Sequence, residues 1–341
     1  MKAAVFYQKG DLRIEELPMP EPKAGEVQIQ VMACGICGTD VHIFHGDEGA
    51  APTPAGTVLG HEFSGVVTAV GEGVAEFVVG DRVCVDPNKL CNECDYCKGG
   101  IGHFCENMIG IGTTVHGGFA QYVSVPKSQV YKIADTTTFD MAAMTEPVAC
   151  CLHGIDMCQI QAGDTVAVIG GGMIGLINMQ LAKISGAAKL ILIEPVEQKR
   201  EAAKKLGATL CIDPIHEDVQ QVLKDNGIDR IHVVIECVGK VATMKQAIAI
   251  AGKKSIVMLF GLTAPNDEMP IKPFELFKKE IVLKASYINP YTQKRALDLI
   301  NSGRLDVSSM VTNLEPLEKL PEILENPVLR SQGKVIIHPQ D

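Results

Sequence analysis

No apolar run in this chain reaches the roughly 18 residues that a bilayer-spanning helix needs. The N-terminus, Met1-Lys2-Ala3-Ala4-Val5-Phe6, lacks the long apolar stretch and small-residue cleavage site of a secretory signal, so a cytoplasmic location is expected. Dense Lys/Arg tracts are absent too, and the formal net charge is -10. That balance argues against a nucleic acid or an anionic membrane as partner and favours small-molecule chemistry. Internal repeats and low-complexity segments are not evident.

What is present is enough chain for a large core: 341 residues, 46% of them hydrophobic, with two domains as the natural reading. The first 147 residues are rich in Val, Gly and Pro and short in helical periodicity. In Glu26-Val27-Gln28-Ile29-Gln30-Val31 polar and apolar residues alternate, as in a half-buried strand. From Asp164 the pattern changes. Thr165–Ile169 reads as a buried strand, Met173 to Ser185 as a helix and Lys189–Ile193 as a second strand, which together make a βαβ unit. Strand Ile231–Ile235, helix Thr243–Ala251 and strand Ser255–Phe260 continue the alternation, so the expected fold class is α/β with a doubly wound parallel sheet. A helical pattern from Thr292 to Ser302 and a closing strand Lys334–His338 follow, and pattern alone does not assign them to either domain.

Gly170-Gly171-Gly172-Met173-Ile174-Gly175 is a G-x-G-x-x-G between a predicted strand and a predicted helix, the context in which such a motif holds a dinucleotide. The first glycine permits the tight turn, the second lets backbone approach a pyrophosphate, and the third lets helix pack on strand. The helix N-terminus adds N–H donors and positive dipole. Nineteen residues past Gly175, at the end of the second strand, Glu194 is suited to accept the adenosine ribose hydroxyls and to repel a 2′-phosphate, which favours NAD over NADP.

Of twelve cysteines, four lie between Cys91 and Cys105, spaced Cys91-x2-Cys94-x2-Cys97-x7-Cys105, in a loop with almost no apolar side chains. Four thiolates close a tetrahedral zinc shell, and the loop would gain its order from the metal. The bacterial iron–sulfur run shares C-x2-C-x2-C but ends x3-C-P, so zinc is the expectation, and a shell filled by protein makes it structural. Cys34, Cys84, Cys150, Cys151, Cys158, Cys211 and Cys237 show no partner spacing and read as packing residues. A second, dispersed group is Cys37, His61, Glu62 and Glu146. Mixed S, N and O donors suit a catalytic zinc. Spacing alone does not unite them: Cys37 also makes a C-x-x-C with Cys34, His61 also reads as a core histidine, and Glu146 as a helix cap.

Gly60-His61-Glu62-Phe63-Ser64-Gly65-x5-Gly71 resembles the zinc signature of the medium-chain alcohol dehydrogenase superfamily. The four-cysteine lobe, the central glycine motif and the string Cys37-Gly38-Thr39-Asp40-x-His42 stand in that superfamily's order and extend the resemblance over essentially the whole chain. Glu146-Pro147 and Thr39-Asp40-Val41-His42 are most similar to the polyol (sorbitol) dehydrogenase and threonine 3-dehydrogenase branch. The resemblance implies a GroES-like β-rich catalytic domain of residues 1–147 and 290–341, with a Rossmann domain of residues 148–289 inserted in it. It implies two zinc ions per chain. Cys37 and His61 would hold the catalytic one, with Glu62 and Glu146 completing the shell directly or through water, and Cys91, Cys94, Cys97 and Cys105 would hold the structural one. The expected cofactor set is Gly170, Gly172, Met173, Ile174, Gly175, Glu194, Lys199 and Val238, with Lys199 placed near the adenosine by the resemblance.

The expected reaction is oxidation of a secondary alcohol of a polyol or sugar derivative, with hydride passing to NAD. Zinc lowers the pKa of the substrate hydroxyl, Thr39 receives its proton and His42 is the exit to solvent. A threonine-type or vicinal-diol dehydrogenase is the enzymatic alternative, and a non-catalytic zinc and nucleotide sensor the alternative from another class. His116, Phe119, Tyr287 and Asn289 are candidates for the rest of the substrate pocket. A homo-oligomer, tetramer or dimer, is expected.

Overall fold

The computed structural model describes residues 1–47 and 51–341. Among them the chain divides into two compact units, one of residues 1–149 with 289–341 and the other of residues 150–288.

The first unit is β-rich. Its central strand, Glu26–Gly35, pairs antiparallel with Glu62–Val70, with Tyr122–Pro126 along its first half, and with Lys334–His338 at Cys34 and Gly35. One strand serves three partners because its register shifts between Gln28 and Ile29 and again between Val31 and Ala33, bulges that bend it. The alternation read in the sequence is the alternation of burial: Val27, Ile29 and Val31 are fully buried, while Gln28 and Gln30 are half-exposed. Phe63, Phe119 and Leu59 join them in one core, each such side chain contributing roughly 1.5–3 kcal/mol by leaving water. The closing strand Lys334–His338 also pairs in parallel with Val311–Pro316, which ties the C-terminal segment into this sheet.

In the second unit six parallel strands lie in the order Leu210–Ile212, Lys189–Ile193, Thr165–Ile169, Val233–Glu236, Ile256–Leu259 and Val282–Ala285. This is the doubly wound arrangement, with strand order reversing beside the first strand, where the glycine motif begins. The strands expected over 165–169 and 189–193 have those limits. The helix read as Met173 to Ser185 runs Met173–Ile184. The two short outer strands, 210–212 and 282–285, carry too few apolar residues to stand out in sequence.

Candidate active site and metal centres

The Cys37 region is built by a local device. Cys37 is the extended residue preceding helix Gly38–His45, and the carboxylate of Asp40, in the helix's first turn, accepts the Cys37 N–H at 2.9 Å. Gly46, at φ 62°, ends the helix in the left-handed region that glycine tolerates. The thiol is thereby held at the helix N-terminus. His61 and Glu62 arrive on the other side of the sheet pairing, Glu62 opposite Gly35.

The donor atoms of Cys37, His61 and Glu62 lie within 4.8 Å of one another. His61 and Glu62 are buried, at 6% and 1% exposure, and Glu62 Oε1 has no hydrogen-bond partner. A buried polar atom left unpaired is costly, and sulfur, nitrogen and carboxylate oxygen converging on one point are the donor set of a divalent cation. His61 Nδ1 faces Asp40 Oδ1 at 3.4 Å, and Asp40 is wholly buried. Burial opposes a charge on His61, but the anions Asp40 and Cys37 outweigh it and hold its pKa well above the ordinary value. Such a carboxylate fixes the ring orientation of a ligating histidine. Glu146, in the first turn of helix Thr145–Cys158 and 8% exposed, lies outside the 4.8 Å set.

Two functional neighbours escaped sequence reading. Asp40 had a local signal, an acid three residues after the helix cap. Lys334 had none: 272 residues from Glu62 in sequence, it pairs with Glu62 Oε2 and donates to the Ile36 carbonyl at 2.8 Å, at 3% exposure. Burial lowers the pKa of its ammonium, but Glu62, Cys37 and Asp40 more than compensate and leave it raised.

The four-cysteine lobe converges as well, its sulfurs within 4.8 Å of one another. Cys91 and Cys97 sulfurs are 3.9 Å apart, close to the about 3.8 Å that tetrahedral zinc with 2.3 Å bonds requires. Backbone N–H groups of Glu93 and Cys94 point at Cys91 Sγ, both at 3.4 Å, and lower its pKa to about 6; Cys94 is lowered likewise by N–H groups of Cys97 and Glu106. Burial instead pushes Cys97 to about 12. A pocket that already stabilises thiolate at two positions is suited to zinc. The described cysteines are all free of disulfides.

In the second unit, Gly170 has φ +100° and a side chain on Gly175 would overlap the Gly170 carbonyl oxygen, so both positions need glycine. Gly172 caps helix Met173–Ile184, with Met173 and Ile174 in its first turn. Glu194, 5% exposed, accepts the N–H of Gly171 at 2.6 Å and of Val196 at 2.9 Å. A Cβ placed on Gly171 would be 3.2 Å from the Lys199 Cβ, and one placed on Gly170 2.7 Å from Val238 Cγ2. The expected cofactor residues therefore surround one loop. Val238 is held in turn by Glu236, which accepts its N–H at 2.9 Å and the Thr243 hydroxyl at 2.7 Å.

Thr39 is half-buried, its Oγ1 3.8 Å from Cys37 Sγ, and His42 is exposed with Nδ1 2.8 Å from Asp47 Oδ2. Two pocket expectations fail. Phe119 is fully buried in the core, and Asn289, 2% exposed, spends its amide on Asn88 and Gln293, so neither offers a surface to substrate. His116 is exposed and accepts the Val58 N–H at 3.1 Å. Tyr287 is 53% exposed.

Residues 23–135 match the alcohol dehydrogenase GroES-like domain family and residues 173–302 the zinc-binding dehydrogenase family. Sorbitol dehydrogenase of Bacillus subtilis is 33% identical across 99% of this chain and 97% of its own length. L-threonine 3-dehydrogenase of Caldanaerobacter subterraneus is also 33% identical, across 98% of this chain and 97% of its own. Among solved structures, a zinc-binding dehydrogenase from Sinorhizobium meliloti bound to NADP superposes with a TM-score of 0.94 at 36% identity, over 99% of each chain.

Proposed function

The chain belongs to the zinc-dependent medium-chain alcohol dehydrogenase superfamily, in its polyol branch, and on that premise we propose that it oxidises a secondary alcohol of a polyol or sugar derivative, reversibly, with NAD as hydride acceptor. The observation that carries the reading is the convergence of Cys37, His61 and Glu62 with a carboxylate oxygen left unpaired. When bound there, zinc supplies the Lewis acidity that lowers the pKa of a substrate hydroxyl. Hard carboxylate donors suit a vicinal diol, which offers two oxygens where a monohydric alcohol offers one. Glu146, outside the tight donor set, is the carboxylate this reading assigns to a second hydroxyl of the substrate, and a site built on such bonds rejects analogues that lack them. Thr39 takes the alcohol proton and His42, exposed and oriented by Asp47, releases it to solvent. Cys91, Cys94, Cys97 and Cys105 hold a second, structural zinc.

NAD rather than NADP follows from Glu194, whose charge sits against the glycine loop where a 2′-phosphate would meet it. A homo-oligomer is supported by the open edge of the parallel sheet, where Val282 is 47% exposed, together with Phe274 and Phe277 at 68% and 78% on helix Pro273–Lys279. A cytoplasmic location accords with the structure to this extent: no described helix is long and apolar enough to cross a membrane. The threonine-type reading keeps the same metal site with an amine in place of one hydroxyl, and the threonine dehydrogenase relative favours it as the alternative.

The test is catalytic efficiency over pentitols, hexitols, their phosphates, a vicinal diol, threonine and ethanol, each with NAD and NADP, read as reduced-cofactor absorbance. A polyol with NAD should lead. Ethanol matching the best polyol would refute the diol argument, and equal efficiency with both cofactors would refute the role given to Glu194.

A further inference from the structure

A lysine ammonium buried to 3% exposure is costly to desolvate, and an apolar residue would fill the same place in a strand at no such cost. Lys334 opens the strand Lys334–His338, whose next three residues, Val335, Ile336 and Ile337, are buried and apolar. Among the described residues its charge goes to two acceptors: the Ile36 carbonyl, 2.8 Å away and next in chain to Cys37, and Glu62 Oε2. Room for this contact comes from Gly35, where any side chain would strike both the Glu62 carboxylate and the Lys334 stem.

The arrangement divides one carboxylate between two cations. Glu62 Oε2 is held by Lys334, while Oε1 makes no hydrogen bond in a cluster with Cys37 and His61. A free carboxylate approaches a cation with either oxygen or both. One tethered at Oε2 reaches it only through Oε1, and its charge stays compensated when it lets go. We propose that Lys334 is a positioning residue, which holds Glu62 by one oxygen and so keeps one coordination position at the Cys37/His61/Glu62 site exchangeable. This rests on the reading of those three residues as a metal site. It assigns a function to a residue outside the donor set, and it predicts that removing a positive charge makes the metal harder, not easier, to strip.

The experiment replaces Lys334 with Met, alone and together with Glu62→Gln, and adds Lys334→Arg as the conservative variant. Release of zinc to a chelator and the visible spectrum of the cobalt-substituted protein, with imidazole as the exchangeable probe, are the readouts. Lys334→Met should release the more labile metal about tenfold more slowly than wild type, the scale on which neighbours of metal ligands act. Its cobalt spectrum should no longer respond to imidazole, and its kcat should fall more than its KM changes. Glu62→Gln in the same chain should return release to the wild-type rate; because it removes both partners of the buried pair, it also separates this effect from misfolding. Lys334→Arg should stay near wild type. Zinc release from Lys334→Met at or above the wild-type rate, in protein of unchanged circular dichroism, overturns the proposal alone. A wild-type chain that takes up only the four-cysteine metal overturns the site reading and the proposal with it.

Discussion

At the scale of single residues the active region is a set of side chains whose partners decide their use. His42 is exposed, yet its Nδ1 is 2.8 Å from Asp47, which orients the ring and leaves Nε2 open for the proton exit proposed for it. At the surface this contact adds little stability, so substituting His42 should change rate and not folding. His42→Ala should slow alcohol oxidation by about 10²-fold, most at low pH, where solvent bases are scarce, with partial recovery in added imidazole and cofactor affinity retained. An unchanged pH profile would return His42 to the role of an ordinary surface histidine.

At the scale of elements the contrast is between a lobe for which a structural metal is proposed and a loop braced by protein. Between Cys91 and Cys105 the only regular elements are a four-residue helix and a three-residue 3-10 turn, and Tyr96, Ile101 and Phe104 are 42–50% exposed, so little apolar packing holds the sulfurs in place. With the proposed structural zinc, order there would come from the ligand shell. Cys97→Ser should lower bound zinc from two to one per chain and open residues 91–105 to proteolysis, while the parallel sheet keeps its melting behaviour. Protease resistance equal to wild type in a one-zinc variant would show that the lobe is self-supporting. The glycine loop is instead braced by protein alone, Glu194 on Gly171 and Glu236 on the Val238 turn.

At the scale of the whole molecule one half-buried acid reports on stability. Burial pushes Asp86 up to about 6 from an ordinary 3.8, although the Asn88 N–H and the Asn289 side chain favour its charge. The folded chain therefore holds a proton between about pH 4 and 6 that the unfolded chain has lost, and stability falls as pH rises through that window, staying lower above it. Two pKa units correspond to about 3 kcal/mol. Asp86→Asn should raise the melting temperature at pH 7–8, with the gap over wild type shrinking towards zero as pH falls to about 4. A gap independent of pH would mean that Asp86 is ionised in both states.

Much of this was legible in the chain. Strand 165–169, the Gly170–Gly175 turn and strand 189–193 were readable because a buried parallel strand is a continuous apolar run and a dinucleotide turn needs glycine where the backbone is crowded. The four cysteines were readable because their spacing is local. What only the tertiary structure decided is whatever depends on approach between distant segments: Cys37 beside His61 through strand pairing, Asn289 and Phe119 enclosed rather than lining a pocket, and Lys334 on Glu62 across 272 residues. A lysine at the head of an apolar strand looks in sequence like any solvated terminus. Its partner is chosen by the register between the last strand and Glu26–Gly35, and long-range register leaves no mark in local composition.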